Sequence, residues 1–291
     1  MLETCRGGKL ILFMYKFMYR FYKVVLISST LVMSVQEAVA AGAKILFLPE
    51  NFNYLGRSPS DSLKIAESLD GPIISRYAAL ARRLKVWLSL GGFQEKSSTH
   101  PDKLHNCHVI LNDRGEVAAR YRKIHLFNVD IPNGPVLMEG NFTAPGTELV
   151  TCDSPVGRLG LSVCYDLRFP MLYQRLAFTL GAKIMLVPSA FTVTTGEAHW
   201  EVLLRARAIE TQSYVVAAAQ AGRHNEKRES YGHSIIVDPW GTVISRLPDP
   251  KATGIAVADV DLHGLEALRM RMPVAEHRAA GEEAVGGRTN F

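Results

Sequence analysis

The sequence predicts a single α/β domain, and three observations carry that prediction. Short apolar runs the length of buried strands recur at residues 44–48, 86–90, 159–163, 184–187, 214–219 and 255–260. Between them lie segments with apolar residues at helical spacing, such as Ile73, Tyr77, Leu80, Ala81 and Leu84. The chain is 47% hydrophobic, enough for a sizeable core, and its 23 Gly and 14 Pro are spread without a linker-like block or an internal repeat. Alternation of strand-length and helix-length segments is the pattern of an α/β fold.

The elements follow in order. Residues 34–41 read as the end of a helix, which Gly42 stops. A buried strand, 44–48, runs into Pro49-Glu50. Residues 72–85 form an amphipathic helix that starts on Pro72, and 86–90 form a strand. Strands 109–111 and 117–121 flank Asn112-Asp113-Arg114-Gly115, a hairpin turn, and Arg122-Lys123 follows the second. Residues 127–146 are a long loop rich in Pro, Gly and Asn, and loops of that length in a compact domain are usually functional.

The strand 159–163 ends at Cys164, and Pro170 sets the first turn of a helix. Leu172, Leu176 and Leu180 mark that helix, closed by Gly181. A strand at 184–187 ends in Pro188-Ser189-Ala190-Phe191. A helix at 198–212 carries Glu201 and Arg205 at i, i+4, the spacing of an ion pair. Strand 214–219, a hairpin of 234–237 and 242–246 around Asp238-Pro239-Trp240-Gly241, strand 255–260 and helix 262–272 complete the body. From Ala279 the tail is rich in Gly, Ala and Glu and is expected to fray. The expected division is 1–33 as an atypical leader or replaced first strand, 34–278 as the domain, and 279–291 as the tail.

Charge excludes some function classes. The net charge is +5, but Arg6, Lys9, Lys16, Arg20 and Lys23 against Glu3 place most of it in the first thirty residues. The remaining body is close to neutral, so no nucleic-acid partner is implied. Residues 10–36 are apolar and aromatic but interrupted by Lys16, Arg20 and Lys23, and the longest uncharged run, 24–36, is too short to span a bilayer. No membrane partner is expected. The apolar block 10–14 is also too short for a signal peptide. The segment is basic and acid-poor, as mitochondrial presequences are, but it is not rich in Ser. A cytoplasmic location is expected, with the mitochondrion as an addition. Cys5, Cys107, Cys152 and Cys164 form no CxxC pair, no zinc spacing and no disulfide framework, which fits a reducing compartment.

A lone Cys is more often a structural thiol than a nucleophile. Here Glu50, Lys123 and Cys164 each read as following a buried strand, so all three can converge at one edge of the sheets. A thiolate needs a neighbouring cation, which Lys123 provides. A carboxylate near both takes the thiol proton, protonates a departing amine and then activates water, and Glu50 suits that role if burial raises its pKa. The tetrahedral oxyanion needs donors, and Lys123 with the backbone N–H of Tyr165 serves. Nothing in such a mechanism calls for a metal or a cofactor.

Phe47-Leu48-Pro49-Glu50, Tyr121-Arg122-Lys123-Ile124-His125-Leu126-Phe127 and the run from Gly160 to Pro170 (GLSVCYDLRFP) resemble, in order, the three catalytic motifs of the nitrilase superfamily, the carbon–nitrogen hydrolases. The resemblance covers residues 34–278. It implies a four-layer α-β-β-α sandwich, a small-molecule amide substrate, homo-oligomers built through the sheet-flanking helices, and a Glu-Lys-Cys mechanism through an acyl-thioester. The family has a second Glu in the loop between the Lys and Cys motifs. Glu139, in Met138-Glu139-Gly140-Asn141, matches it and would orient Lys123 and substrate.

Residues 188–191, 198–212, 222–228 and 231–234 resemble the branch that hydrolyses deaminated glutathione, with an omega-amidase acting on 2-oxoglutaramate as the alternative. Both substrates are 2-oxo acid amides with at least one carboxylate, so a basic lip is expected from Arg168 and residues 223–228. Pairing of Arg168 with Asp166 is the equal alternative. Tyr165 and His199 complete the expected substrate contacts, His199 by shaping the pocket. A Cys-His dyad with His125 or His199 is disfavoured, because no protease-like local signature surrounds Cys164. Arg205, Arg207 and Glu210 read as a structural ion-pair face.

The chain departs from the family at its start. The usual opening strand of the type Val-Ala-x-x-Gln is not visible, and residues 10–13 or 24–27 would replace it, or the sheet would lack that strand. The usual arm after His277-Arg278 is also lost in the Gly-rich tail. These departures leave open a reading of another class, a weakened or purely binding protein.

Overall fold

The structure is a computed structural model that describes residues 8–14, 38–56, 58–130, 136–226, 228–247 and 254–284. Strands β1 (Gly8–Met14), β2 (Ile45–Leu48), β3 (Trp87–Lys96), β4 (Leu104–Leu111), β5 (Val117–Arg122) and β16 (Gly254–Val260) form one six-stranded sheet, ordered β16-β1-β2-β3-β4-β5. A second six-stranded sheet contains β8 (Thr151–Ser154), β9 (Gly157–Leu161), β10 (Ile184–Leu186), β11 (Tyr214–Ala217), β14 (Ile235–Val237) and β15 (Val243–Arg246), ordered β15-β14-β11-β10-β9-β8. Two small hairpins pair β6 (Asn128–Asp130) with β7 (Val136–Met138) and β12 (Ala221–Arg223) with β13 (Glu229–Tyr231). The helices are α1 (Pro59–Ile65), α2 (Pro72–Leu84), α3 (Pro170–Gln174), α4 (Val193–Thr211), α5 (Leu262–Arg271) and α6 (Val274–Ala284).

The pleat of β2 shows how the layers stack. Successive side chains of a strand point to opposite faces. Ile45 and Phe47 join a core with Leu159 and Leu161 of the second sheet, whereas Leu46 and Leu48 join a core with Ile73, Tyr77 and Leu80 of α2. A strand buried on both faces reads as a continuous apolar run, which is why residues 44–48 do not alternate. In β9, a Cβ on Gly160 would meet Met185 and Leu176, so that face looks to the helical layer while Leu159 and Leu161 look to the first sheet. Trp200, Leu204 and Ala208 of α4 are buried in the same core. The result is the expected α-β-β-α sandwich. Each large side chain so buried contributes roughly 1.5–3 kcal/mol of hydrophobic stabilisation.

The opening strand is β1. It pairs antiparallel with β16 along its length and parallel with β2, so it fills the middle of the first sheet. Residues 24–27 lie outside the described residues. Inserted there, β1 satisfies backbone groups that its two neighbours would otherwise leave unpaired.

Several elements differ from the expectation. β3 continues past residue 90 to Lys96, because Gly91-Gly92 is a bulge and not a stop: the register against β4 shifts between Leu90 and Phe93, and Gly92 has φ +66°. Helix α4 starts at Val193, where the Thr192 side chain caps the Thr195 N–H, five residues before the expected start at Ala198. The Glu201–Arg205 pair does not form. Glu201 meets Arg246 at 3.2 Å and Arg205 Nε donates to the Gly241 carbonyl at 2.7 Å, so partners from the β14–β15 hairpin outcompete the helical neighbour. Arg207 and Glu210 do pair, at 3.0 Å. Helix α6 extends past Ala279 to Ala284. Cys107, Cys152 and Cys164 are free thiols, and Cys5 lies outside the described residues.

Candidate active site

Four chain segments deliver the site. Glu50 follows the C-terminal end of β2, and its carbonyl accepts from Gln220 Nε2 at 3.0 Å. A Cβ on Gly92 would lie 2.6 Å from Glu50 Cγ, so only glycine leaves room for this turn. Lys123 follows β5, and its N–H donates to the Asn106 carbonyl at 2.9 Å. Glu139 opens a 3-10 turn, Glu139–Asn141, that follows β7. Cys164 opens another, Cys164–Arg168. Its φ of +48° is left-handed, a conformation a non-glycine residue holds only when its surroundings fix it, and its N–H donates to the Pro188 carbonyl at 2.9 Å. The sequence places Cys164 in the turn after a strand at 159–163; the strand ends two residues earlier, at Leu161, and the tight turn begins at the thiol.

The side chains meet as expected for Glu50, Lys123, Glu139 and Cys164. Lys123 Nζ donates to Glu139 Oε2 at 2.8 Å and to Glu50 Oε1 at 3.3 Å. Lys123 is 2% exposed, so its charge depends on these two carboxylates. Burial opposes the ammonium, but Glu139 and Glu50 outweigh it and hold the Lys123 pKa above its ordinary value. Burial likewise opposes the Glu139 carboxylate, and the Lys123 ammonium with N–H donors from Phe127 and Asn106 reverses this and lowers its pKa. The Cys164 thiol contacts Glu50 and the Ala190 N–H. Burial first, and the Glu50 carboxylate second, push it well above the ordinary thiol range, against the pull of Lys123. This corrects the expectation of a thiolate held by Lys123. Two carboxylates already neutralise that ammonium, so the resting group is a thiol that needs a base, and Glu50 is in contact with it.

Asn106 is a part of the site that sequence reasoning missed. From β4 its Nδ2 donates to Glu50 Oε1 at 2.8 Å and to Glu139 Oε1 at 3.2 Å, a second tie between the two carboxylates beside Lys123. For Asp166 the structure decides between the two alternatives. It is fully buried and accepts from Tyr121 Oη at 2.7 Å, the Val163 N–H at 2.9 Å, and the N–H and Nδ1 of His125 at 3.0 and 2.7 Å. These four donors saturate the carboxylate, so it does not pair with Arg168. The same bonds lock the Cys164 turn onto the Lys123 strand end. They engage His125 with Asp166, which leaves the disfavoured Cys-His dyad without its first candidate.

A cavity of about 360 Å³ opens over the four residues, lined among others by Tyr165, Arg168, Phe191, Thr195 and Arg228. Tyr165 and Arg168 both line it. Arg168 is held by its neighbours: its guanidinium lies 5.8 Å from the Tyr165 ring and 5.7 Å from the Phe191 ring, and Nη2 donates to His199 Nδ1 at 3.2 Å. His199 does not line the cavity. One helical turn beyond Thr195 on α4, it is exposed and touches Arg168 from outside, so it acts on the pocket only by placing that guanidinium. The long loop 127–146 contributes the β6–β7 hairpin, whose Val136 and Met138 lie at the cavity and are 63% and 43% exposed. Among the described residues no cluster of His, Cys, Asp and Glu could hold a metal ion.

Comparison with known proteins points to one family. The carbon-nitrogen hydrolase family matches residues 27–270. Deaminated glutathione amidase of Homo sapiens is 51% identical over 247 residues, which are 84% of this chain and 75% of that protein. The crystal structure of the C. elegans NitFhit protein has a TM-score of 0.82 at 39% identity, covering 93% of this chain and 65% of that one, so this chain spans just under two thirds of it. Saccharomyces cerevisiae Nit3, a member of branch 10 of the nitrilase superfamily, has a TM-score of 0.72 at 28% identity and covers 92% and 94% of the two chains.

Proposed function

This chain belongs to the carbon–nitrogen hydrolase family, and we propose that it hydrolyses deaminated glutathione, a linear amide of a 2-oxo acid. The observation that carries this reading is the buried Glu50–Lys123–Glu139 cluster against the Cys164 thiol, at the foot of a cavity lined by Arg168. The relatives named for that substrate, at about half identity, supply the substrate itself.

The chemistry follows from the contacts. Glu50 takes the thiol proton as sulfur attacks the amide carbonyl. The oxyanion that forms is stabilised by Lys123 Nζ and by the Tyr165 N–H, which sits in the first turn of a helical segment, where backbone donors have no partner within the segment. Glu50 then passes its proton to the departing amine, which leaves an acyl-thioester on Cys164. Water enters, Glu50 takes its proton, and the second tetrahedral species collapses to the free acid and restores the thiol. Glu139 holds Lys123 in place throughout. Arg168 faces the substrate carboxylate. No step uses a metal or a cofactor. Assembly of copies through the sheet-flanking α4, whose Val202 and Ile209 are 62% and 46% exposed, belongs to the same reading, as does action in the cytoplasm and the mitochondrion.

The test is steady-state kcat/KM on deaminated glutathione and on 2-oxoglutaramate with one enzyme preparation. A preference for deaminated glutathione is expected. A preference for 2-oxoglutaramate would move the assignment to an omega-amidase. A folded protein inactive on both would favour the binding-only reading.

A further inference from the structure

Among the described residues two arginines line the cavity, and neither has a carboxylate at ion-pair distance. Arg168 contacts the rings of Tyr165 and Phe191 and the acceptor nitrogen of His199. Arg228, from the loop between β12 and β13, reaches the same cavity, and among the described residues no carboxylate lies within ion-pair distance of it. Elsewhere in the chain Arg114, Arg122, Arg207 and Arg246 each hold a carboxylate at 3.2 Å or less. A guanidinium that is half-buried and unpaired gives up water without a counter-charge. Such a cavity is prepared for an anionic guest, and two such groups exceed what one carboxylate needs.

The hairpin that carries Arg228 is well anchored. The His224 N–H donates to the Arg228 carbonyl at 2.9 Å, His224 Nε2 meets Ser230 Oγ at 2.8 Å, and Ser230 bridges to Thr192 at the start of α4. The Tyr231 N–H donates to the Phe191 carbonyl at 3.0 Å. Arg223 is used within the hairpin, donating to the carbonyls of Asn225 and Glu226 at 3.3 Å, so it is Arg228 that faces the cavity.

The two guanidiniums have different tethers. Arg168 belongs to the same five-residue turn as Cys164, so its position is fixed relative to the sulfur that will hold the acyl group. Arg228 is placed by a separate hairpin. We infer that Arg228 binds a second substrate carboxylate, one carried on the leaving-amine side of the scissile bond. This rests on the function proposed above and sharpens it: the preferred substrate is an amide with a carboxylate on each side. Deaminated glutathione has that form, with the glycine carboxylate on the departing amine. 2-Oxoglutaramate releases ammonia and offers Arg228 nothing.

The experiment compares wild type, Arg228→Gln and Arg228→Lys on three substrates: deaminated glutathione, its glycinamide analogue lacking the distal carboxylate, and 2-oxoglutaramate. Arg228→Gln is expected to lower kcat/KM on deaminated glutathione by ~10- to 100-fold relative to 2-oxoglutaramate, mainly through KM, as loss of a charge-assisted hydrogen bond does. Arg228→Lys should recover part of that loss, which a merely structural hairpin role would not predict. On the glycinamide analogue wild type and Arg228→Gln should differ by less than about threefold, because the contact is already absent. Equal losses on all three substrates, or an unchanged ratio between deaminated glutathione and 2-oxoglutaramate, would overturn the inference. If wild type hydrolyses neither amide, it is the proposed function that fails.

Discussion

Replacing Cys164 by Ala is expected to lower the hydrolysis rate by at least ~10⁴-fold, on the scale seen when a covalent nucleophile is removed, while the protein melts within a few degrees of wild type. The thiol is the only protein group in the proposed reaction that bonds to the substrate carbon, so no other side chain substitutes for it. The structural cost is small for a specific reason. The strained φ of +48° at Cys164 belongs to the turn, fixed by the bond from its N–H to Pro188, and Ala tolerates that conformation no worse than Cys. Product assays on the purified variant, alongside a thermal melt, separate the two effects. A residual rate within tenfold of wild type would remove Cys164 from the chemistry.

Lys123→Met should give the second largest effect, and it falls on stability as well as on rate. Lys123 is 2% exposed, and its partner side chains Glu50 and Glu139 are 6% and 14% exposed. Deleting the cation leaves buried carboxylates uncompensated, a change that costs about 3–5 kcal/mol. The pH dependence reverses in sign. In wild type the Glu139 pKa is lowered, so its pairing stabilises the fold above the ordinary carboxylate range and is lost as pH falls through the lowered value. Without Lys123 that carboxylate keeps its N–H donors but is buried with no counter-charge, and its pKa is expected to rise above the unfolded value of about 4.3. The folded variant then binds more protons than its unfolded chain, so it gains stability as pH falls from 7 towards 5. Chemical denaturation at the two pH values should show that gain relative to wild type. Parallel pH profiles for the two proteins would mean that Glu139 does not depend on the Lys123 charge.

Glu50 and Cys164 were legible in the sequence because each follows a run of apolar residues, and strand ends collect at one edge; Lys123 follows β5, which is mostly exposed and not the buried strand expected, so its place at that edge comes from sheet order. Glu139 carried no such signal. It sits in a loop whose three-residue strands, Asn128–Asp130 and Val136–Met138, are too short for periodicity to register, and only the family motif pointed to it. Asn106 was hidden inside β4, where every residue is buried and a polar side chain on the inter-sheet face cannot be told from a packing position. The sequence left Asp166 open, because an acid two residues before Arg168 suggests a local pair as readily as a free arginine, whereas the fold brings Tyr121 and His125 to it from another strand end. The sandwich was visible in doubly buried runs such as 44–48. The continuation of β3 was not, since Gly91-Gly92 reads equally as a stop. In each case the lost information is long-range: which segment supplies the partner is set by sheet order, which local spacing does not encode.

The most direct test of acyl transfer through Cys164 is a mass measurement. Wild-type enzyme, mixed with deaminated glutathione in excess and quenched in acid during turnover, is digested and mapped by mass spectrometry. The account predicts a 2-oxoglutaryl adduct on the peptide containing Cys164, sensitive to hydroxylamine as thioesters are, and formed from 2-oxoglutaramate as well because the acyl group is the same. The same acyl mass on a peptide without Cys164 would contradict it.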